Sequence, residues 1–177
     1  KYWFPMEQNY GNDYASSFDW FIRDYLSVKM GTIPKIGKVY EEFKNYVQGS
    51  KSPETITEIV ADISKYSKYY VNMVLRKEND PILNRLFTNI SRLKVDVSYP
   101  FILAVYADYD NGIISKEDFA EILKLVANYV FRRAICGIPT NSLNKTFAQL
   151  YKSVKAENYL ESVQAAFQLM DGYKRFP

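Results

Sequence analysis

The sequence predicts an all-α fold, a multi-helix bundle of about seven to eight helices. Apolar residues recur at spacings of three and four in one segment after another, which is the pattern of helices that bury one face. No segment of useful length alternates apolar and polar residues, so no half-buried strand is predicted. Gly, Pro, Ser and Asp interrupt the apolar pattern at intervals that fit helix ends. No internal repeat of about 20–50 residues is evident, which disfavours a solenoid.

The first half of the chain predicts four helices. Phe18, Ile22 and Tyr25 lie on one face of the first, and Gly31 ends it. Ser52 with Pro53 at the first helical position predicts the start of the third. The first helix is predicted to begin at a cap at residue 13, 16 or 17 and to end at residues 31–34. The next three helices are predicted at residues 35–47, 53–76 and 81–93.

The second half predicts four more helices, at residues 100–110, 115–136, 143–154 and 159–170. The first of these is apolar on several sides, which is typical of a central core helix. The second carries a core stripe that includes Phe119, Ile122 and Val126. Gly137 suits its left-handed end, and Pro139 prevents its continuation.

The stretch YADYDNGIISKEDFAEIL, residues 106–123, is similar in wording to a calcium-binding EF-hand loop. With Gly112 at loop position 6, position 1 is Ala107, which offers no carboxylate. With Asp108 at position 1, position 12 is Phe119 where the loop requires Glu. Both registers disfavour calcium. The stretch instead predicts a helix that ends at Gly112 and a second helix capped by Ser115.

The residue types present exclude much of enzyme chemistry. The chain has no histidine, which excludes Ser-His-Asp and Cys-His catalysis, histidine metal sites and an HNH nuclease centre. Its single cysteine, Cys136, leaves no internal disulfide and no structural zinc site, and it fits a reducing, cytoplasmic compartment. No phosphate-binding glycine loop is present, and no apolar run of 18 residues could form a transmembrane helix. We therefore predict no catalytic residue, metal or cofactor in this segment.

Tyrosine and phenylalanine are abundant, with 16 and 11 copies. Many occur at helical spacing, so we expect most of them to pack in the core with a hydroxyl at its polar edge. A minority could form a binding surface.

The net charge of +3 is concentrated in one region. Residues 111–177 hold nine basic and six acidic side chains, whereas the two preceding segments are balanced. Six basic residues and no acidic residue lie between Ile122 and Ala156. Such a patch can attract phosphates, or it can face an acidic surface of the same protein.

The segment FRRAICGIPTNSLNKTF, residues 131–147, contains most of the candidate binding residues. Arg133 lies on the apolar stripe of its helix, which favours an internal ion pair or a contact with the helix end. The alternative is phosphate contact, with help from the backbone N–H groups near Ser142 and Leu143 at the start of the next helix. The candidate nucleic-acid or phosphate-binding residues are Arg132, Arg133, Asn141, Asn144, Lys145 and Lys152.

Residues 94–154, which begin KVDVSYPFILAVYADYDNGII, together with YLESVQAAFQLMDGYKRFP and the upstream YWFPMEQNYG, resemble the helical middle region of GmrSD-type bacterial proteins. The resemblance covers nearly the whole chain, and residues 131–147 are its most specific part. It implies a longer parent protein with an N-terminal ParB/sulfiredoxin-like NTPase domain and a C-terminal HNH nuclease domain. Several members act in phage defence as nucleotide-dependent endonucleases that attack modified DNA.

Neither the Asp-Gly-Gln-Gln-Arg motif of that NTPase domain nor any histidine is present here. The resemblance thus implies that residues 1–177 are one helical domain, or two subdomains at 1–97 and 98–177, cut from a multidomain protein. Any NTP or divalent metal would belong to the parent's other domains, so no catalytic residue is carried over.

Three functions follow as hypotheses. The favoured one is a non-catalytic helical connector that lies near DNA between the flanking NTPase and nuclease domains of a modification-dependent restriction endonuclease. The alternative is a protein-interaction or homodimerisation bundle with no nucleic-acid role. An autonomous enzyme that uses carboxylates is the least favoured.

Overall fold

The computed structural model describes residues 2–49 and 56–170, and these ranges contain nine α-helices and no β-strand. The predicted all-α class is confirmed. None of the helices in these ranges combines the length and apolar character that a membrane span requires. The helices are α1 Trp3–Tyr10, α2 Tyr14–Met30, α3 Val39–Gly49, α4 Ile56–Val74, α5 Pro81–Arg92, α6 Tyr99–Asp110, α7 Lys116–Ile135, α8 Leu143–Leu150 and α9 Tyr159–Leu169.

The eight predicted helices are all present, and α1 precedes them. Pro5 lies in the first turn of α1, where its missing N–H group costs no helical hydrogen bond. The predicted cap at Ser52 and Pro53 falls outside the described residues. The helix predicted at 143–154 ends earlier as α8, because the chain tightens into a 3₁₀ turn at Tyr151–Ser153.

Helix α6 lies at the centre of the fold, as its apolar sequence predicts. Every residue from Tyr99 to Asp108 is buried, and α6 packs against α2, α4, α7 and α8. The core that surrounds it is one cluster, which extends from Met6 in α1 to Phe167 in α9 and so includes both halves of the chain. Helix α2, from the possible subdomain 1–97, packs against α6, from the possible subdomain 98–177.

Aromatic rings fill much of this core, as their helical spacing predicts. The rings of Tyr106 and Phe119 have their centroids 5.1 Å apart, which joins α6 to α7. The Phe101 and Phe167 rings meet edge to face at 6.4 Å, which joins α6 to α9. Such pairs connect helices that are distant in sequence.

The link between α6 and α7 has the predicted helix end, turn and capped restart. Gly112 has φ of 73°, and the Ile113 N–H donates to the Asp108 carbonyl at 2.9 Å. Ser115 Oγ accepts from the Asp118 N–H at 3.0 Å, which caps α7.

The acidic side chains of this link have protein partners. Asp108 Oδ2 points inward and accepts from the hydroxyls of Tyr151 at 2.8 Å and Tyr159 at 2.5 Å. The Asp110 carboxylate accepts from Tyr69 at 2.6 Å, and this hydrogen bond holds the pKa of Asp110 below its usual value. The carboxylates of the EF-hand-like stretch therefore join α6 to its neighbours.

Candidate nucleic-acid interface

Helix α7 ends in a tight turn that leads directly to α8. Gly137 has φ of 61°, and the Ile138 N–H donates to the Arg133 carbonyl at 3.0 Å. Ile138 is itself buried, so the turn is closed by an apolar contact as well as by hydrogen bonds. These features fix the direction in which the chain enters α8.

Arg133 connects α7 to this turn from inside the protein. Its side chain is only 2% exposed. One guanidinium nitrogen donates to the Tyr129 hydroxyl at 3.1 Å, and another donates to the Pro139 carbonyl and, at 3.4 Å, to Ser142 Oγ. The structure therefore gives Arg133 hydrogen bonds to the turn that follows α7, which is close to the predicted contact with the helix end but lies a few residues beyond it. Its burial does not fit phosphate contact, so Arg133 is not part of the candidate interface.

Four of the other candidate residues surround the same turn. Arg132 lies in the last turn of α7, Asn141 precedes α8, and Asn144 and Lys145 lie in the first turn of α8. All four side chains are exposed. We call these four residues the α7–α8 corner.

The first turn of α8 adds backbone donors to the corner. Ser142 Oγ does not cap the helix, because it faces Arg133. The Leu143 N–H already donates to the Thr140 carbonyl at 2.9 Å. Within the described residues, the N–H groups of Asn144 and Lys145 have no backbone acceptor. The donors predicted near Ser142 and Leu143 thus lie one or two residues further on, and they carry the partial positive charge of a helix start.

Lys152 does not belong to the corner. A Cβ placed on Gly31 would lie 3.2 Å from Lys152 Cε and 3.3 Å from its Nζ, so this ammonium sits against the C-terminal end of α2. Helix ends of that polarity attract cations. Lys152 follows the C-terminal end of α8, whereas the corner lies at its N-terminal end, and the eight residues of α8 span about 12 Å between them.

The remaining basic residues of the 122–156 run are also dispersed. Lys124 pairs with Glu121 at 3.0 Å on the surface of α7. Lys155 borders an open cavity of about 560 Å³ between α8 and α9, where its backbone N–H donates to Ser162 Oγ at 3.0 Å. The charge run is therefore divided among several places, and Arg132 and Lys145 are the basic residues of the corner.

Two exposed apolar residues next to the corner were not predicted as site residues. Phe131 is 51% exposed and Ile135 is 69% exposed, and they lie four residues apart on the outer side of α7. Their spacing outside the core stripe is the signal in the sequence that could have identified them. They give the end of α7 an apolar surface beside Arg132.

The buried carboxylates of Asp24 and Asp108 lie in the core and not in an open cleft. Asp24 is 2% exposed, and burial raises its pKa to about 8 even though Arg23 Nη1 lies 3.4 Å from its Oδ1. Burial, together with the hydrogen bond to Asp108, raises the pKa of the Tyr159 hydroxyl. No group of three or more Cys, Asp or Glu side chains suited to a metal ion occurs in the described ranges.

Comparison of the chain with protein-family models, with curated proteins and with solved structures finds no match. The resemblance to the GmrSD-type middle region therefore stays a prediction.

Proposed function

We propose that this chain is a non-catalytic helical connector whose α7–α8 corner docks on the backbone of a nucleic acid. The observation that carries the proposal is the grouping of Arg132, Lys145, two exposed amide side chains and two backbone N–H groups around one turn. Arginine, lysine and the N–H groups of a helix start are standard partners of phosphate oxygens. Asparagine amides can both donate to phosphate and bind a base or sugar.

The buried Arg133 supports the proposal indirectly. Its hydrogen bonds to Tyr129 and the Pro139 carbonyl hold the turn against α7. Arg132 and Lys145 are therefore presented from a rigid corner, which lowers the entropy lost when a ligand is bound. A preorganised corner suits a module that must transmit the position of bound DNA to neighbouring domains.

The connector role rests on the resemblance in the sequence. In a GmrSD-type parent, the module would lie between the NTPase and the nuclease domains, and the corner would hold the duplex near the nuclease. One continuous core, with α6 at its centre, supports transmission as a single body.

Electrophoretic mobility shifts test nucleic-acid binding by this chain. We expect retarded complexes with plain and with base-modified duplexes at low salt, and weaker binding as salt rises, because phosphate contacts release condensed cations. Polyglutamate, added as a competing polyanion, separates duplex binding from general attraction to negative charge. The absence of any complex at the lowest salt would refute the proposal.

A second candidate function is protein docking or homodimerisation through α7. The exposed pair Phe131 and Ile135 favours it, because adjacent exposed apolar residues are typical of the centre of an interface. Sedimentation velocity at several concentrations tests it. A dimer that is lost when Phe131→Ser and Ile135→Ser are combined would support this candidate, and a monomer at all concentrations would exclude homodimerisation.

A further inference from the structure

The ammonium group of Lys29 lies in a cage of two tyrosine rings and one carboxylate, far in sequence from the α7–α8 corner. Its Nζ is 4.4 Å from the ring centroid of Tyr66 and 5.4 Å from that of Tyr25. It also lies 2.7 Å from Asp62 Oδ2. The cation therefore meets two aromatic faces and a negative charge at once.

The cage is built by two packed helices. Tyr25 and Lys29 are four residues apart on α2, and Asp62 and Tyr66 are four residues apart on α4. Residues at this spacing lie on the same helix face. Contact between α2 and α4 thus brings the four side chains together.

The walls of the cage are held in place by contacts that do not involve Lys29. Tyr25 and Tyr66 are 1% and 9% exposed, and their rings meet edge to face with centroids 5.5 Å apart. The Tyr25 hydroxyl donates to Asp62 Oδ2 at 2.7 Å, which orients the carboxylate towards the cation position. The cage should therefore persist when the cation is absent.

This arrangement selects alkylammonium groups. Aromatic faces attract a cation through their quadrupole, and the attraction grows when the cation is partly removed from water. The Asp62 carboxylate, which also accepts from the Tyr25 hydroxyl, adds a negative charge that favours a cation over a neutral or anionic group of the same size. A cavity of about 140 Å³, bordered by Asp62 and Tyr46, lies beside the Lys29 stem, and the Lys29 side chain is 24% exposed.

We propose that Tyr25, Tyr66 and Asp62 form an alkylammonium-binding site, with Lys29 as its resident ligand in the free protein and an external alkylammonium group as its exchange partner. Lys29 leaves the cage by rotation of its stem towards solvent. The site is independent of the α7–α8 corner and of nucleic-acid binding.

The Lys29→Ala variant opens the site for a direct test. This substitution removes a fragment that corresponds to propylammonium, so propylammonium is the probe, with n-propanol as its neutral counterpart of the same length. We expect propylammonium to raise the Tm of Lys29→Ala in a saturable way and n-propanol to have no saturable effect. In the double variant that also carries Asp62→Asn, the response to propylammonium should be lost.

Exchange in the intact chain has a separate readout. Reductive methylation with ¹³C-formaldehyde labels lysine ammonium groups and keeps their charge, and the rings of Tyr25 and Tyr66 should shift the Lys29 signal upfield of the other lysines. Titration with propylammonium should move this signal towards the position of exposed lysines.

Three results would overturn the proposal. They are equal effects of propylammonium and n-propanol on Lys29→Ala, an unchanged response after Asp62→Asn, and a Lys29 signal that does not move on titration. The labelling experiment uses the native sequence, so it decides the question even if Lys29→Ala does not fold.

Discussion

The buried carboxyl of Asp24 should make the stability of this protein fall as the pH rises through neutrality. Asp24 is 2% exposed, and burial raises its pKa from 3.8 to about 8. Arg23 on the same helix opposes this rise, whereas the charge of Asp96 reinforces it. The phenols of Tyr70 on α4 and Tyr99 on α6 also interact electrostatically with the Asp24 carboxyl.

The sign and the size of the effect follow from linkage. A carboxyl whose pKa is higher in the folded than in the unfolded state binds its proton more tightly when folded, so the folded state loses stability as pH rises between these two pKa values. The contribution is complete below pH about 3.8 and is lost above about 8. A difference of about 4 pKa units at 1.36 kcal/mol each corresponds to a loss on the order of 5 kcal/mol in unfolding free energy.

Asp24→Asn removes this dependence, because the amide has nearly the same shape and does not titrate. We expect urea unfolding between pH 5 and about 9 to show a steep decline for the native sequence and a much flatter profile for Asp24→Asn. Asp19→Asn, at an exposed position on the same helix, is the matched control and should follow the native profile. The chain has no histidine to titrate in this window. Parallel profiles for the native chain and Asp24→Asn would refute the reasoning.

Three further predictions concern the Asp108 carboxylate of α6 and the Ser115 cap of α7. Tyr159→Phe removes a buried hydrogen bond of 2.5 Å to Asp108 and should lower the unfolding free energy by about 1.5–3 kcal/mol. Tyr40→Phe, at an exposed site, is the control and should leave the unfolding free energy unchanged. Equal losses for the two variants in urea unfolding would contradict this prediction. Ser115→Ala removes the cap of α7 and should lower the unfolding free energy by about 1 kcal/mol, and an unchanged urea midpoint would contradict that role. Calcium should give no saturable heat in isothermal titration, because the Asp108 carboxylate is turned inward to two tyrosine hydroxyls; heat with micromolar affinity would contradict this.

The helix pattern could be predicted from the sequence because it depends on local chemistry. The apolar run of α6, the left-handed glycines Gly112 and Gly137 and the Ser115 cap each act within a few residues of their own position. Arg133 was correctly placed on the buried side of α7 for the same reason. Helical spacing shows which side chains share a face.

Spacing does not show which helix lies opposite that face. The partners of Asp108, for example, are Tyr151 and Tyr159, which follow it by 43 and 51 residues. The Lys29 cage likewise requires α4 to pack on α2, and no local pattern encodes that contact. The charge run at 122–156 was divided by tertiary packing, which placed Lys152 against Gly31 and away from the corner. Helix α1 was missed because its aromatic opening with Pro5 has no clear apolar stripe.

The salt dependence of DNA affinity, compared between two double variants, tests the central proposal most directly. Arg132→Gln with Lys145→Gln neutralises the α7–α8 corner, and Lys35→Gln with Lys38→Gln removes the same charge from exposed positions between α2 and α3. Fluorescence anisotropy with a labelled duplex, between about 50 and 200 mM salt, gives the slope of log K against log salt for each.

If the corner binds phosphates, its double variant should bind more weakly and reduce the magnitude of the slope by about 2, one for each phosphate that the variant no longer neutralises, while the control pair keeps the native slope. Equal slopes for the corner variant and the native chain, or equal decreases in both double variants, would contradict the proposal.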